Sequence, residues 1–171
     1  MNIQIKPILP EQKSVFIQLM NLYDYDFTEF TDNDISENGY FYYTHYYADK
    51  LWTDNIRHPF FILVDEKLAG FVIVKDGGYQ YLDDKNAHNI DEFFVMKKYR
   101  RNGVGTVAAK TAFDMFRGTW EVCQMQNNLP ARKFWKSVIS EYTKNDYQEC
   151  GTETDDMVGF IFANSHIKPA L

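Results

Sequence analysis

At 171 residues the chain is long enough for one compact domain, expected to span residues 1–171, whose core needs no disulfide or metal staple. Hydrophobic residues make up 45% and aromatic residues 17%, which excludes disorder, and a net charge of −6 argues against nucleic acid or an anionic membrane as partner. No charged segment followed by an apolar run opens the chain, and no apolar run approaches the ~18 residues of a membrane span, so a soluble cytoplasmic protein is expected.

In chain order, "NIQIKPI" (2–8) alternates like a short strand, and Pro10 stands where a helix begins. Val15, Leu19 and Leu22, beside Phe16, Met20 and Tyr23, predict an apolar stripe along that helix. Residues 23–51 are acidic, rich in tyrosine and without a clean period, which predicts a helical piece among loops. "FFILVDEKLAGFVIVKD" (60–76) reads as a hairpin turning at residues 65–67, with a bulge at Gly70. "NIDEFFVMK" (89–97) is a further strand. A helix follows, with Val104, Ala108, Thr111, Ala112 and Met115 facing the core and Gly118 ending it. "WEVCQMQ" (120–126) is a strand, "PARKFWKSVI" (130–139) a helix capped by Asn127 or Asn128, and "MVGFIFAN" (157–164) a last strand. This order predicts an α+β fold: a mixed sheet with helices on both faces.

Between the 89–97 strand and its helix lies Arg100-Arg101-Asn102-Gly103-Val104-Gly105. Its glycines let main-chain N–H groups turn toward one point, and the helix start adds unpaired donors and a favourable dipole. Such a cradle suits a diphosphate, with Arg100 and Arg101 complementing its charge. A dinucleotide site also fits G-x-G-x-x-A at Gly103, Gly105 and Ala108, but the next strand supplies no acidic residue for a ribose ~20 residues on.

The Arg-x-x-Gly-x-Gly pattern at Arg100, Gly103 and Gly105, with Val95 five residues ahead, resembles the acetyl-CoA signature of the GNAT superfamily of N-acetyltransferases. "QNNLPARKFW" (126–135) resembles that superfamily's second motif, with Asn128 and Ala131 in register and Phe134 and Trp135 behind them. The likeness covers residues 60–139 well and the ends by element order alone. It implies a mostly antiparallel sheet splayed at Phe93, Phe94 and Val95, whose backbone pairs with the pantetheine arm. It implies further that main-chain amides from Arg100, Arg101, Asn102, Gly103, Val104, Gly105 and Thr106 hold the diphosphate of acetyl-CoA. Asn128 would touch the pantetheine or brace the neighbouring strand, and the helix carrying Ala131, Phe134 and Trp135 would flank the thioester. Bottom-up, an amide-bearing arm suits an exposed strand edge, as an anion suits the cradle.

Direct transfer to an amine needs a proton route and an acid for the leaving thiolate. "HNIDEFFV" (88–95) offers His88, Asp91 and Glu92, and strand alternation lets only one of Asp91 and Glu92 face a given cleft. The family often has a glutamate where this chain has Asn89, and a tyrosine where it has Trp135, which cannot act as an acid. Tyr142 is a substitute acid. Cys123 and Cys150 lack CxxC spacing and read as reduced thiols, Cys123 as a small hydrophobe, not a nucleophile. His45, His58, His88 and His166 are scattered and predict no metal site. Asp24, Asp26, Glu29, Asp32, Asp34 and Glu37, interleaved with tyrosines, form either an acceptor wall for a cationic small-molecule or peptide amine or a solvated face. The aromatic excess suits a homodimer surface or a substrate wall equally. An N-acetyltransferase is thus the leading expectation, a catalytically weak acyl-CoA-binding or sensory module on the same fold the alternative.

Overall fold

The computed structural model describes residues 1–165; His166 lies outside them. Its strands are β1 (Ile3–Pro7), β2 (Arg57–Val64), β3 (Lys67–Asp76), β4 (His88–Val95), β5 (Thr119–Met125), β6 (Gln148–Cys150) and β7 (Met157–Ala163), and its helices α1 (Lys13–Phe27), α2 (Tyr42–Lys50), α3 (Val104–Met115) and α4 (Leu129–Thr143). The strands form one seven-stranded sheet in the order β1-β2-β3-β4-β5-β7-β6. Every pairing is antiparallel except β4 with β5. This is the expected mixed sheet; the three-residue β6 is an addition that no alternation in "QEC" foretells.

Helices cover both faces. Phe16, Leu19, Met20 and Tyr23 of α1 and Tyr47 and Ala48 of α2 pack on Phe61, Phe71, Ile73 and Phe94. On the other face, Ala108, Ala112 and Phe113 of α3 and Trp135, Val138 and Ile139 of α4 pack on Val72, Val74, Ile90, Trp120 and Phe162. Two stripe assignments shift: Val15 and Leu22 are exposed, as is Met115, while Ala109 and Phe113 are buried. Pro10 opens a single 3-10 turn before α1, and α3 stops at Met115, short of Gly118.

Asp65 and Glu66 both adopt left-handed backbone, the two-residue turn that matches strand twist between β2 and β3. The nearby bulge falls on Ala69, not on Gly70, because Ile62 pairs with Gly70 and Leu63 with Leu68. Gly70 serves another purpose. A Cβ there would fall inside the contact radius of the Phe94 carbonyl oxygen, so glycine is what lets β4 lie close against β3.

A second register shift lies between β3 and β4: Ile73 faces Glu92 and Val74 faces Ile90, leaving Asp91 as an extra residue. Gly70→Ala should therefore strain the strand that carries both candidate carboxylates. A loss of ~1–3 kcal/mol in urea unfolding is expected, the usual range for overpacking.

Candidate functional site

β4 and β5 pair only at His88 with Trp120 and Asn89 with Glu121; beyond that point they part. Phe93 stacks on Phe134 at 5.6 Å and meets Trp135 edge-on at 5.0 Å, an aromatic cluster joining β4 to α4 on the α3/α4 face. The Met96 N–H bonds the Ala69 carbonyl on the β3 side, so the Val95 carbonyl, on the same peptide unit, points away into the opening. There the Arg100 Nε–H donates to it at 2.6 Å. Alternation turns the main-chain groups of Phe93 the same way and those of Phe94 back toward β3.

The cradle follows. Arg101 and Gly103 have φ of 61° and 77°, and Gly103 caps α3. Left-handed backbone at both positions turns the chain sharply enough that, among the described residues, the amides of residues 101–106 find no intramolecular acceptor. A Cβ on Gly105 would lie 3.1 Å from the Phe134 ring, which explains that second glycine. Arg101 and Asn102 are exposed beside these amides. Arg100 is differently employed: its guanidinium pairs with Asp26 and lies over the Phe94 ring, tying the loop to α1, so its charge is spent within the protein. Asn128 is the N-cap of α4, its side-chain oxygen accepting the Ala131 N–H at 3.0 Å.

The bulge at Asp91 breaks the alternation expected from sequence, and Asp91 and Glu92 both turn toward α1 and α2. Their partners differ in kind. Asp91 accepts from Arg57 Nε at 2.7 Å and the Tyr47 hydroxyl at 2.6 Å, with Lys75 Nζ 3.9 Å away. Glu92 accepts only hydroxyls, from Tyr23 and, at 2.6 Å, from Tyr43. Burial, reinforced by the Asp91 charge and resisted by the two hydroxyls, pushes the Glu92 carboxyl up to about 7. Burial and the Glu92 charge push Tyr43 well above the ordinary phenol range.

The other candidates lie elsewhere. Tyr142 donates to Asp114 at 2.8 Å and packs on Phe113 and Phe162, beside the Trp120 end where β4 and β5 still pair. It braces α4 against α3, at the opposite end of β5 from the opening. Asn89 bonds the Gly77 carbonyl, and His88 shares Asp76 with His58. The Cys123 thiol, raised by burial and by Glu121, bonds that carboxylate and is no ready nucleophile. Among the described residues no group of three His, Cys, Asp or Glu is placed to hold a metal ion. The acidic segment does not converge: Asp24 is buried against Thr44, Asp26 is held by Lys97 and Arg100, and Glu29, Asp32, Asp34 and Glu37 are exposed. Sequence reasoning missed Tyr23, Tyr43, Tyr47 and Arg57. The i, i+4 spacing of Tyr43 and Tyr47 was the available signal for a shared helix face.

The family model described as the acetyltransferase (GNAT) family matches residues 19–138. Among solved structures, the chain resembles an acetyltransferase from Thermus thermophilus at 11% identity, covering 95% of this chain and 97% of that one, with a TM-score of 0.69. It resembles a spermidine N-acetyltransferase from Vibrio cholerae in complex with CoA and spermine at 12% identity, 95% and 96% coverage and a TM-score of 0.65. It also resembles the PaiA N-acetyltransferase from Thermoplasma acidophilum in complex with coenzyme A, at 13% identity, 94% and 98% coverage and a TM-score of 0.60. No curated protein matches the chain in sequence. The matched family span takes in the parted strands, the glycine cradle and the Asn128 cap together, and the chain belongs to the GNAT family of acetyltransferases.

Proposed function

We propose that the chain, working as one domain in the cytoplasm, binds acetyl-CoA and transfers its acetyl group directly to a primary amine of a small-molecule or peptide acceptor. The observation that carries this is the run of amides at residues 101–106, without a hydrogen-bond acceptor among the described residues, at the end of a strand that pairs with β5 no further than Asn89. The amides suit a diphosphate, and the open main chain at Phe93 suits the amide-bearing arm. Phe134 and Trp135 would flank the thioester end. Bound there, acetyl-CoA supplies an activated acyl group. Glu92 is the proton acceptor: it titrates near neutrality and faces α1 and α2, where the acceptor would enter. It is 9% exposed, so the route to it runs through the half-exposed Tyr43, whose hydroxyl takes the amine proton as it passes its own to Glu92. Asp91 is committed to Arg57 and the Tyr47 hydroxyl. The spermine complex of the Vibrio enzyme supports small amines as the class to try first. The alternative of a catalytically weak acyl-CoA-binding or sensory module draws on Asn89 and Trp135, both buried where the family often has a glutamate and a tyrosine.

Thiol release from acetyl-CoA with spermidine, tyramine and a glycine-terminated peptide tests the reaction. Release dependent on an amine supports it; acetyl-CoA binding without release favours the module, and preference for NAD would sink both. For the cradle, Gly103→Glu puts a negative charge and a side chain on left-handed backbone at the diphosphate position. Titration calorimetry should show acetyl-CoA binding lost in that variant and kept in Gly103→Asn. Binding by Gly103→Glu as tight as the parent's would misplace the cradle.

Because Glu92 must be ionised to act, the parent's rate should climb as pH rises through about 7. Glu92→Gln should lose that limb and ~100-fold or more in kcat. The sign for stability is opposite. Its folded value lies above the ordinary 4.5, so the protonated carboxyl's contribution is complete below 4.5 and is lost as pH rises through about 7. The melting temperature of Glu92→Gln should therefore gain on the parent's between pH 5 and 8, a span set by those two values.

A further inference from the structure

Glu121 is a carboxylate on β5 with no exposed surface and, among the described residues, no cation paired with it. It stands opposite Asn89, the last pair before β4 and β5 part, and turns away from the core of Trp120 and Val122 toward the face that α1 and α2 share. Three consecutive amides of the loop between β3 and β4 donate to it: Tyr79 at 2.6 Å, Gln80 at 2.8 Å and Tyr81 at 2.8 Å. Burial opposes its ionisation, but these three amides, with the Cys123 thiol as a fourth donor, hold its carboxyl below the ordinary glutamate value. Residues 77–85 line an open pocket of about 340 Å³. The base of the loop is tied by the Gly77 N–H to the Ala87 carbonyl, the Gly78 N–H to the Asp84 carbonyl and the Asn89 side chain to the Gly77 carbonyl. Its far part, residues 79–81, is held by Glu121 and by the Tyr81 hydroxyl, which donates to the Met157 carbonyl at 2.5 Å.

What the anchored loop carries is Tyr79. The residue is 54% exposed, and Lys75 Nζ lies over its ring, 5.9 Å from the centroid, while standing 3.9 Å from Asp91. Tyr79 is thus linked to the carboxylate pair through Lys75, while Tyr43 and Tyr47 bond the pair directly from the α2 side. We propose that Tyr79 is a wall of the amine-acceptor site and that Glu121 is the positioning residue that holds it there through the loop's backbone. The part of the exposed ring that Lys75 leaves open would meet the carbon–ammonium body of an acceptor. Glutamine cannot replace Glu121, because its NH2 group would point a donor at donors.

This inference rests on the acetyl-transfer reading, and its test separates the two. Steady-state kinetics are measured for the parent, Tyr79→Ala, Glu121→Gln and the double variant, with acetyl-CoA and whichever of spermidine and tyramine the parent uses faster. A parent without amine-dependent thiol release would fell the reading and the wall with it. Given an active parent, each single variant should raise the acceptor KM ~5- to 10-fold with kcat and the acetyl-CoA KM within ~2-fold, and the double variant should resemble Tyr79→Ala alone. Hydrogen exchange at residues 79–81 should quicken in Glu121→Gln while that of β3 and β4 stays unchanged. An unchanged acceptor KM in either single variant would overturn the proposal. So would effects of the two that multiply in the double variant, or a fall in kcat and in acetyl-CoA binding alike.

Discussion

Two strands that pair for two residues and then separate must be kept from closing, since unpaired main-chain groups and exposed strand edges favour zipping. In this protein the separation is enforced from both sides. The Phe93–Phe134–Trp135 cluster ties β4 to a helix on the α3/α4 face of the sheet, so closing the gap would mean displacing α4. On the other side, Gly70 draws β4 tightly onto β3. The Val95 carbonyl left facing the gap is satisfied by Arg100, whose guanidinium is anchored on Asp26. The cradle inherits its position from this arrangement, because the loop that forms it starts where Arg100 is pinned.

Three carboxylates near the opening show how partner type decides the role of a charge. Asp91 meets a guanidinium and an ammonium, which offset its charge in part. Glu121 meets backbone N–H groups, which stabilise the ion without bringing a counter-charge, so it serves as a rigid clip. Glu92 meets only phenol hydroxyls in a buried setting, too weak to hold the ion fully, and it alone is raised to about 7. Side-chain type does not separate these fates. The bulge at Asp91 does so for the first and last, since without it Asp91 and Glu92 would lie on opposite faces of the sheet.

Patterns local in the chain were legible in the sequence: the 60–76 hairpin, the glycine cradle, the cap at Asn128 and the helices either side of β5. What was hidden depended on long-range register. A bulge leaves no mark in "HNIDEFFV", so alternation assigned Asp91 and Glu92 to different faces. Tyr23 and Tyr43 lie 69 and 49 residues from Glu92, and helical spacing, which sets Tyr43 and Tyr47 on one face, does not say which strand that face meets. Arg100 was assigned to the diphosphate because its motif partner is the glycine loop; Asp26, 74 residues away, claims it instead. Tyr142 drew notice as a tyrosine near the second motif, yet its partner Asp114 lies on α3.

The density of acidic residues in residues 23–51 gives a misleading picture of the field an acceptor would feel. Asp24 is buried against Thr44, and burial raises its carboxyl so that the neutral form is favoured more than in water. Asp26 is spent on two cations and Asp91 on Arg57, while Glu29, Asp32, Asp34 and Glu37 are solvated. What remains at the carboxylate pair is one titrating glutamate among tyrosine rings. Coulomb attraction for a multiply charged amine would therefore be weak and screened within about 10 Å at moderate salt. Recognition by ring faces follows, since cation–π contact and apolar burial do not need a net charge. It also explains why one glutamate of neutral pKa suffices: a strong negative field would stabilise the acceptor as an ammonium ion, and the nucleophile for acyl transfer is the free amine.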